Sequence, residues 1–213
     1  MALRAVLFDF GKTLFNSPDG AAVMVEEGIE SELAERIWTE IWERALSPEE
    51  LARGRDRSEE AHERLWKELF SAADPYAPGI SARLYDRVMK AVSWVPYTDA
   101  AAVLAELDRR GVAVGVLSNT GMSLRPAFAR HGLDGYVRVF VESFRLGIEK
   151  PDPAIFEVAC RELGTPPEMT LMVGDSHLAD GAAVRSGLTV LLLPQVPAGA
   201  PRGLEAVLGL VGV

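Results

Sequence analysis

The first chemistry the chain offers is an aspartate placed one residue past a short apolar run: Ala5-Val6-Leu7-Phe8 precedes Asp9-Phe10-Gly11-Lys12-Thr13. Three more polar sets follow in comparable positions. Ser118-Asn119-Thr120 comes after Val112–Leu117, and Lys150-Pro151-Asp152 comes after Gly147-Ile148-Glu149. Gly174-Asp175-Ser176, with Asp180 beyond it, comes after Leu171–Val173. Apolar runs of this kind, bounded by Gly, read as buried strands. Parallel strands gather their carboxyl ends on one edge of a sheet, where open α/β folds place ligands. A carboxylate, a hydroxyl, an ammonium and further carboxylates then share one crevice, and that set handles a dianion. Asp9 and Asp175 would hold a hard divalent cation such as Mg²⁺, which prefers oxygen ligands. The cation and Lys150 would neutralise phosphoryl oxygens, Ser118 would donate a hydrogen bond to one, and Asp9 would attack phosphorus to form an aspartyl-phosphate.

The elements that must position these residues fall into two groups. Residues 16–95 carry many Glu and Arg residues and most of the large aromatics, among them Trp38, Trp42, Trp66, Phe70 and Tyr85. Ile37/Ile41 and Leu65/Leu69 recur at helical spacing. Ser47-Pro48-Glu49-Glu50 and Ser58-Glu59-Glu60 read as helix starts, with a capping Ser and acids in the first turn. No strand is expected between Pro18 and Val95. After Pro96 the pattern alternates: a helix over Asp99–Arg110 closed by Gly111, a strand over Val112–Leu117, and a helix over Leu124–His131. A strand over Val137–Val141 and a helix over Pro153–Leu163 closed by Gly164 come next. The strand Leu171–Val173, a helix over Ala179–Ser186 and a last strand over Thr189–Leu193 complete the series. Strands alternating with helices imply βαβ units and a parallel sheet. The expected class is α/β: a Rossmann-like parallel sheet flanked by helices, formed by residues 1–15 and 96–213, with an all-α cap inserted over 16–95.

Composition narrows the partners. The 213 residues are 48% hydrophobic, enough for a substantial core. Lys and Arg number 22 against 31 Asp and Glu, a net charge of −9, which argues against nucleic acid because phosphate backbones are bound by basic patches. A few local positive groups still suffice for a small phosphorylated metabolite. Cys160 is the only cysteine, so no intrachain disulfide can form. No apolar stretch reaches the ~18 residues of a membrane helix, and the N-terminus lacks a leader pattern. The expectation is a cytoplasmic protein with no membrane partner; the sequence leaves its oligomeric state open.

The ordered set of four motifs resembles the haloacid dehalogenase superfamily, most of whose members are phosphatases. Asp9 and Thr13 match its first motif, Ser118 its second, Lys150 with the Lys-Pro-Asp-Pro run to Pro153 its third, and Gly174-Asp175-Ser176 with Asp180 its fourth. The resemblance implies Asp9 as nucleophile. It implies a metal held by Asp9, the Gly11 carbonyl, Asp175 and Asp180. It also implies phosphate binding by Ser118 and Lys150, with the backbone amides of Lys12 and Asn119 assisting.

Gly11 departs from the pattern. Family phosphatases usually carry a second Asp there, which protonates the leaving oxygen and then activates water; help of this kind is worth ~10² to 10⁴ in rate. Three readings stay open: a phosphatase lacking that acid–base group, a metal-independent 2-haloacid dehalogenase, and a weak or inactive phospho-ligand binding protein. The Gly-Asp-Ser motif favours the first, because haloacid dehalogenases typically lack the metal-binding Asp. His177, just after the fourth motif, is a spare acid–base candidate. Arg53, Arg55 and Arg57 are candidate anion readers in the cap, whereas His62 and His131 read as surface or packing residues.

Overall fold

The computed structural model describes residues 2–196 and 199–211, so the outer limits 1 and 213 of the expected core lie outside the described residues. The strand β1 (Ala5–Phe8) is the centre of the molecule. Two short strands, β2 (Phe15–Asn16) and β3 (Val95–Pro96), flank the helical segment. The strands β4 (Ala113–Ser118), β5 (Val139–Glu142), β6 (Thr170–Gly174) and β7 (Thr189–Leu192) follow. Five of them form one parallel sheet in the order β5-β4-β1-β6-β7. β1 and β4 are buried along their whole length, as a parallel strand covered on both faces must be. Two apolar clusters cover the sheet, one built around Phe8, Val116 and Phe128 and the other around Leu7, Leu117, Phe156 and Met172.

Between β2 and β3 the chain is helical: α1 (Gly20–Glu26), α2 (Ser31–Ala45), α3 (Pro48–Leu51), α4 (Glu59–Phe70) and α5 (Ile80–Leu84). These helices have their own core of Met24, Ile37, Ile41, Leu69, Phe70, Ile80 and Val88, and Met122 packs against both it and a sheet cluster. Ser47 and Ser58 cap α3 and α4 through the backbone N–H groups of Glu50 and Ala61, as their sequence pattern predicts. The expectation of no strand between Pro18 and Val95 holds through Trp94, with β2 ending before that stretch and β3 beginning at its last residue. β2 and β3 pair antiparallel as a two-residue ribbon, too short to carry any periodicity.

The remaining helices are α6 (Ala100–Arg109), α7 (Arg125–Arg130), α8 (Ser143–Leu146) and α9 (Pro153–Leu163). The segment expected as a helix over Ala179–Ser186 is instead a 3-10 turn over Gly181–Ser186. Its first helical residue is Gly181, a poor helix former. The carboxylate just before it turns back on the preceding loop, accepting from the N–H groups of Asp175 and Ser176.

Candidate active site

Register decides which residues meet. Phe8 lies level with Val116 of β4 and Val173 of β6. Asp9, Ser118 and Asp175 therefore leave the sheet at the same edge, within two residues of that level. Lys150 comes to them from the loop before α9. Its side chain is buried, and its Nζ donates to Asp9 Oδ1 at 2.8 Å, to Asp180 Oδ1 at 2.6 Å and to the Leu117 carbonyl at 3.0 Å. An ammonium has three protons, and all three are used. Asn119 fixes the lysine from behind: its side-chain amide donates to the Lys150 carbonyl at 2.8 Å and its Oδ1 accepts from the Lys150 N–H at 2.7 Å. The Asn119 side chain thus positions Lys150, a role that sequence reasoning did not assign to it.

Asp180 is 1% exposed. Oδ1 takes Lys150, and Oδ2 accepts from the N–H groups of Asp175 at 3.1 Å and Ser176 at 2.9 Å. Asp9 keeps Oδ2 clear of protein donors among the described residues. Asp175 is half-buried and, among the described residues, its carboxylate receives only Gln195, at 2.9 Å. Carboxylate oxygens of Asp9, Asp175 and Asp180 lie within 4.8 Å of one another. Burial pushes the Asp9 carboxyl up to about 7; Lys150 pulls against this, while Asp180 and Asp175 add to it. Burial and Asp180 also raise Asp175, against Lys12 and Gln195. Burial works against the Lys150 ammonium, yet Asp180 and Asp9 outweigh it and raise its pKa above the usual lysine value.

Three acids thus crowd one ammonium, an excess of negative charge that a hard cation relieves. The all-oxygen donor set suits Mg²⁺. Asp9 and Asp175 have oxygens free to bind it, whereas Asp180 is committed to Lys150 and the loop.

The first loop is held in an unusual way. Lys12 has a left-handed backbone, φ 55°, and its N–H donates to the Phe15 carbonyl at 2.7 Å, so this amide is spent within the loop and does not serve a phosphoryl oxygen as the resemblance implies. Its ammonium lies 4.2 Å from the Trp42 ring centre, so the side chain reaches the inserted helices. The Lys12 carbonyl accepts from Arg202 Nε at 2.5 Å. Arg202 is a buried guanidinium that also donates to the carbonyls of Leu193 and Pro194. Asp99 in turn accepts from the N–H groups of Arg202, Gly203 and Leu204.

The space beside Gly11 is filled. A Cβ there would stand 3.0 Å from Trp94 Cζ3. That indole is tied by its N–H to the Val88 carbonyl at 2.7 Å and stacks on Phe10 at 5.0 Å. A side chain at position 11 needs Trp94 to give way. Ser118 is buried, with only a long 3.5 Å contact to the Asn119 carbonyl among the described residues, so its hydroxyl is available. The Thr13 hydroxyl is buried without a partner among the described residues, and His177 is exposed.

The inserted helices descend on this edge at Arg55-Asp56-Arg57. Ser143 Oγ donates to the Asp56 carbonyl at 2.5 Å, and the Asp56 N–H donates to Glu149 Oε2 at 3.3 Å. Arg57 pairs with Glu149 at 3.3 Å. Arg53 binds Glu50 and Glu68 within the helices, away from the role of anion reader. His62 is fully buried, and a Cβ on Gly121 would stand 2.1 Å from its Cβ. Only glycine allows the helices this close to the Ser118–Gly121 loop. Surface placement of His62, one of the two sequence expectations, is therefore ruled out. A glycine directly after Ser-Asn-Thr is the one sequence signal of this contact.

His62 Nδ1 and the Tyr85 hydroxyl lie 2.9 Å apart. Burial, then Arg55, push the His62 pKa from 6.5 down to about 3. Between those two values the folded state binds fewer protons than the unfolded chain. The associated stability is complete above pH 6.5 and lost as pH falls through the window, at about 1.4 kcal/mol per pH unit. Urea melts from pH 7 to pH 4 test this: the slope should be shallower in His62→Gln by that amount, and parallel slopes would refute it.

Comparison with known proteins agrees with this architecture. A family model described as haloacid dehalogenase-like hydrolase matches residues 3–187. A glyceraldehyde 3-phosphate phosphatase of Methanothermobacter thermautotrophicus is 28% identical over 90% of this chain and 85% of its own. Among solved structures, a dehalogenase with an intermediate complex superposes with TM-score 0.74 at 23% identity, covering 100% of this chain and 98% of its own. A HAD phosphatase from Thermococcus onnurineus gives TM-score 0.65 at 23% identity, over 99% and 100%. At that identity the structural likenesses speak for the fold alone. The five-stranded sheet and the family match together identify this chain as a hydrolase that belongs to the haloacid dehalogenase-like family.

Proposed function

We propose that this protein is a cytoplasmic, Mg²⁺-dependent phosphatase that hydrolyses a small phosphorylated metabolite through an aspartyl-phosphate on Asp9. The observation that carries the reading is the state of Asp9: one oxygen pinned by Lys150, the other clear, and the Asp175 carboxylate alongside. Similarity to glyceraldehyde 3-phosphate phosphatases supports a small phosphate ester as substrate.

Asp9 Oδ2 attacks phosphorus. Ser118 and the N–H of Asn119 hold phosphoryl oxygens, and Lys150 lends its charge to the same side while keeping Asp9 aimed. Asp175, the Gly11 carbonyl and Asp9 through Oδ1, which keeps a lone pair beside Lys150, would hold the cation, with Asp180 supporting them through Lys150 and the loop. When bound, Mg²⁺ supplies positive charge to the phosphoryl group. Residues 16–95 act as a cap over a core made by 1–15 and 96–213, excluding bulk water and selecting the leaving group.

The test offers glyceraldehyde 3-phosphate and other small phosphate esters with and without Mg²⁺, beside a 2-haloacid. Phosphate release that needs the metal is expected, together with a melting temperature raised by roughly 5–10 °C at saturating Mg²⁺ and lost in Asp175→Asn. Metal-independent halide release would favour dehalogenation instead. Ligand binding without turnover would favour the binding protein.

A further inference from the structure

A phosphatase of this design has a gap: nothing at position 11 can give or take a proton, and Trp94 occupies the space beside it. The cap supplies a candidate at the same edge. Asp56 sits on the loop that closes over Ser143 and Glu149, one residue before Lys150 in the site. Ser143 Oγ also accepts from the Thr120 N–H at 2.9 Å, so the Asp56 backbone is joined to the Ser118–Gly121 loop through a single hydroxyl. The Asp56 side chain is mostly buried and has no role in the steps assigned above.

We propose that Asp56, delivered by the cap, is the proton donor and acceptor that Gly11 cannot be. The inference rests on the phosphatase reading. In the first step Asp9 Oδ2 bonds to phosphorus and the bond from phosphorus to the ester oxygen breaks. The electron pair stays on that oxygen, which takes the proton of the Asp56 carboxyl and leaves as an alcohol. In the second step the Asp56 carboxylate takes a proton from water as its oxygen bonds to phosphorus. The Asp9–phosphorus bond then breaks, returning Asp9 as a carboxylate and releasing phosphate, and Asp56 is protonated again.

The surroundings of Asp56 suit both duties. His62 Nε2 stands 3.7 Å from Asp56 Oδ1, and His62 Nδ1 is 2.9 Å from the Tyr85 hydroxyl. With Tyr85 donating to Nδ1, the neutral imidazole carries its proton on Nε2, facing Asp56; the second partner sets the tautomer. The groups facing Asp56 are Arg55 beside it, His62 and Tyr85 from the cap, and Glu149 and Lys150 from the core loop, with Arg57 paired to Glu149. Burial raises the Asp56 carboxyl above the usual carboxylate range, with Arg55 and Lys150 pulling it back, so the protonated form is accessible nearer neutrality.

Two esters and two variants test the assignment in the presence of Mg²⁺. With an alkyl phosphate, Asp56→Asn should lower kcat by ~10² to 10³, within the usual range for general acid–base groups. With p-nitrophenyl phosphate, whose leaving group needs no proton, it should release one equivalent of nitrophenol at near the wild-type rate and then stall as phosphoenzyme. Tyr85→Phe frees the His62 tautomer and so alters the imidazole dipole that stands 3.7 Å from Asp56 Oδ1, a through-space neighbour too distant for a hydrogen bond. It should move the basic limb of kcat upward by up to about one pH unit with KM unchanged.

Wild-type kinetics in Asp56→Asn, or equal losses on both esters without a burst, would overturn the inference and leave the phosphatase reading standing. Should Asp56→Asn fail to fold, an unmoved pH limb in Tyr85→Phe overturns it by itself. A wild-type protein that releases no phosphate from either ester removes the phosphatase reading, and this inference with it.

Discussion

Asp9→Asn should lose turnover by about 10⁴-fold or more, the scale seen when a covalent nucleophile is removed, and yet fold. Asn has the same shape, and its oxygen can still accept from Lys150. Stability should change in the opposite direction to activity. The folded-state pKa of Asp9, about 7, lies above the 3.8 of the free side chain, so the folded protein binds the extra proton between those values. Its stabilising effect is complete below pH 3.8 and lost as pH rises through 7. At pH 8, without metal, the ionised carboxylate is a burden that Asn lifts, on the order of a few kcal/mol. Phosphate-release assays and urea melts in EDTA read the two effects separately. Comparable turnover in variant and wild type would sink the nucleophile assignment, and an unchanged melt at pH 8 would sink the account of crowding.

Lys150→Met should be the most damaging single change to stability. It removes the one ammonium between Asp9 and Asp180 and leaves two buried carboxylates facing each other. Breaking a buried pair from one side typically costs ~3–5 kcal/mol. Activity should vanish as well, since Asp9 loses its anchor. The double variant Lys150→Met/Asp180→Asn should recover part of the stability, because the uncompensated charge goes with the acid. Urea denaturation of both proteins decides: a single variant as stable as wild type, or a double variant no better than the single, contradicts this electrostatic picture.

The motif positions were legible because the signals that place them are local. An apolar run followed by a polar residue marks the carboxyl end of a buried strand, and Gly164 and Gly111 close helices where left-handed backbone is needed. Strand ends shifted by one or two residues, as at Thr170 and Ser118, which is the ordinary uncertainty of such boundaries. What stayed hidden depends on contacts between distant segments. The tryptophan beside Gly11 comes from residue 94, and the imidazole against Gly121 from residue 62. Asp56 carries no signal of its own between Arg55 and Arg57. Its surroundings are assembled only when the inserted helices meet Ser143 and Glu149. The Ala179–Ser186 segment has a helical pattern, but it tightens because the Asp180 carboxylate is spent on the loop before it.

The tie between Lys12 and Arg202 has a consequence for the order in which the protein comes into being. The two residues are 190 apart in sequence, and the loop carrying Asp9 is made first. At ~5–20 residues per second, roughly 10–40 s of synthesis separates the nucleophile from the guanidinium that fixes its loop. A ribosome-bound chain stalled just short of Arg202 already contains all four motifs and still lacks that clamp. The loop of the nucleophile therefore waits for Arg202 to be made before it is fixed.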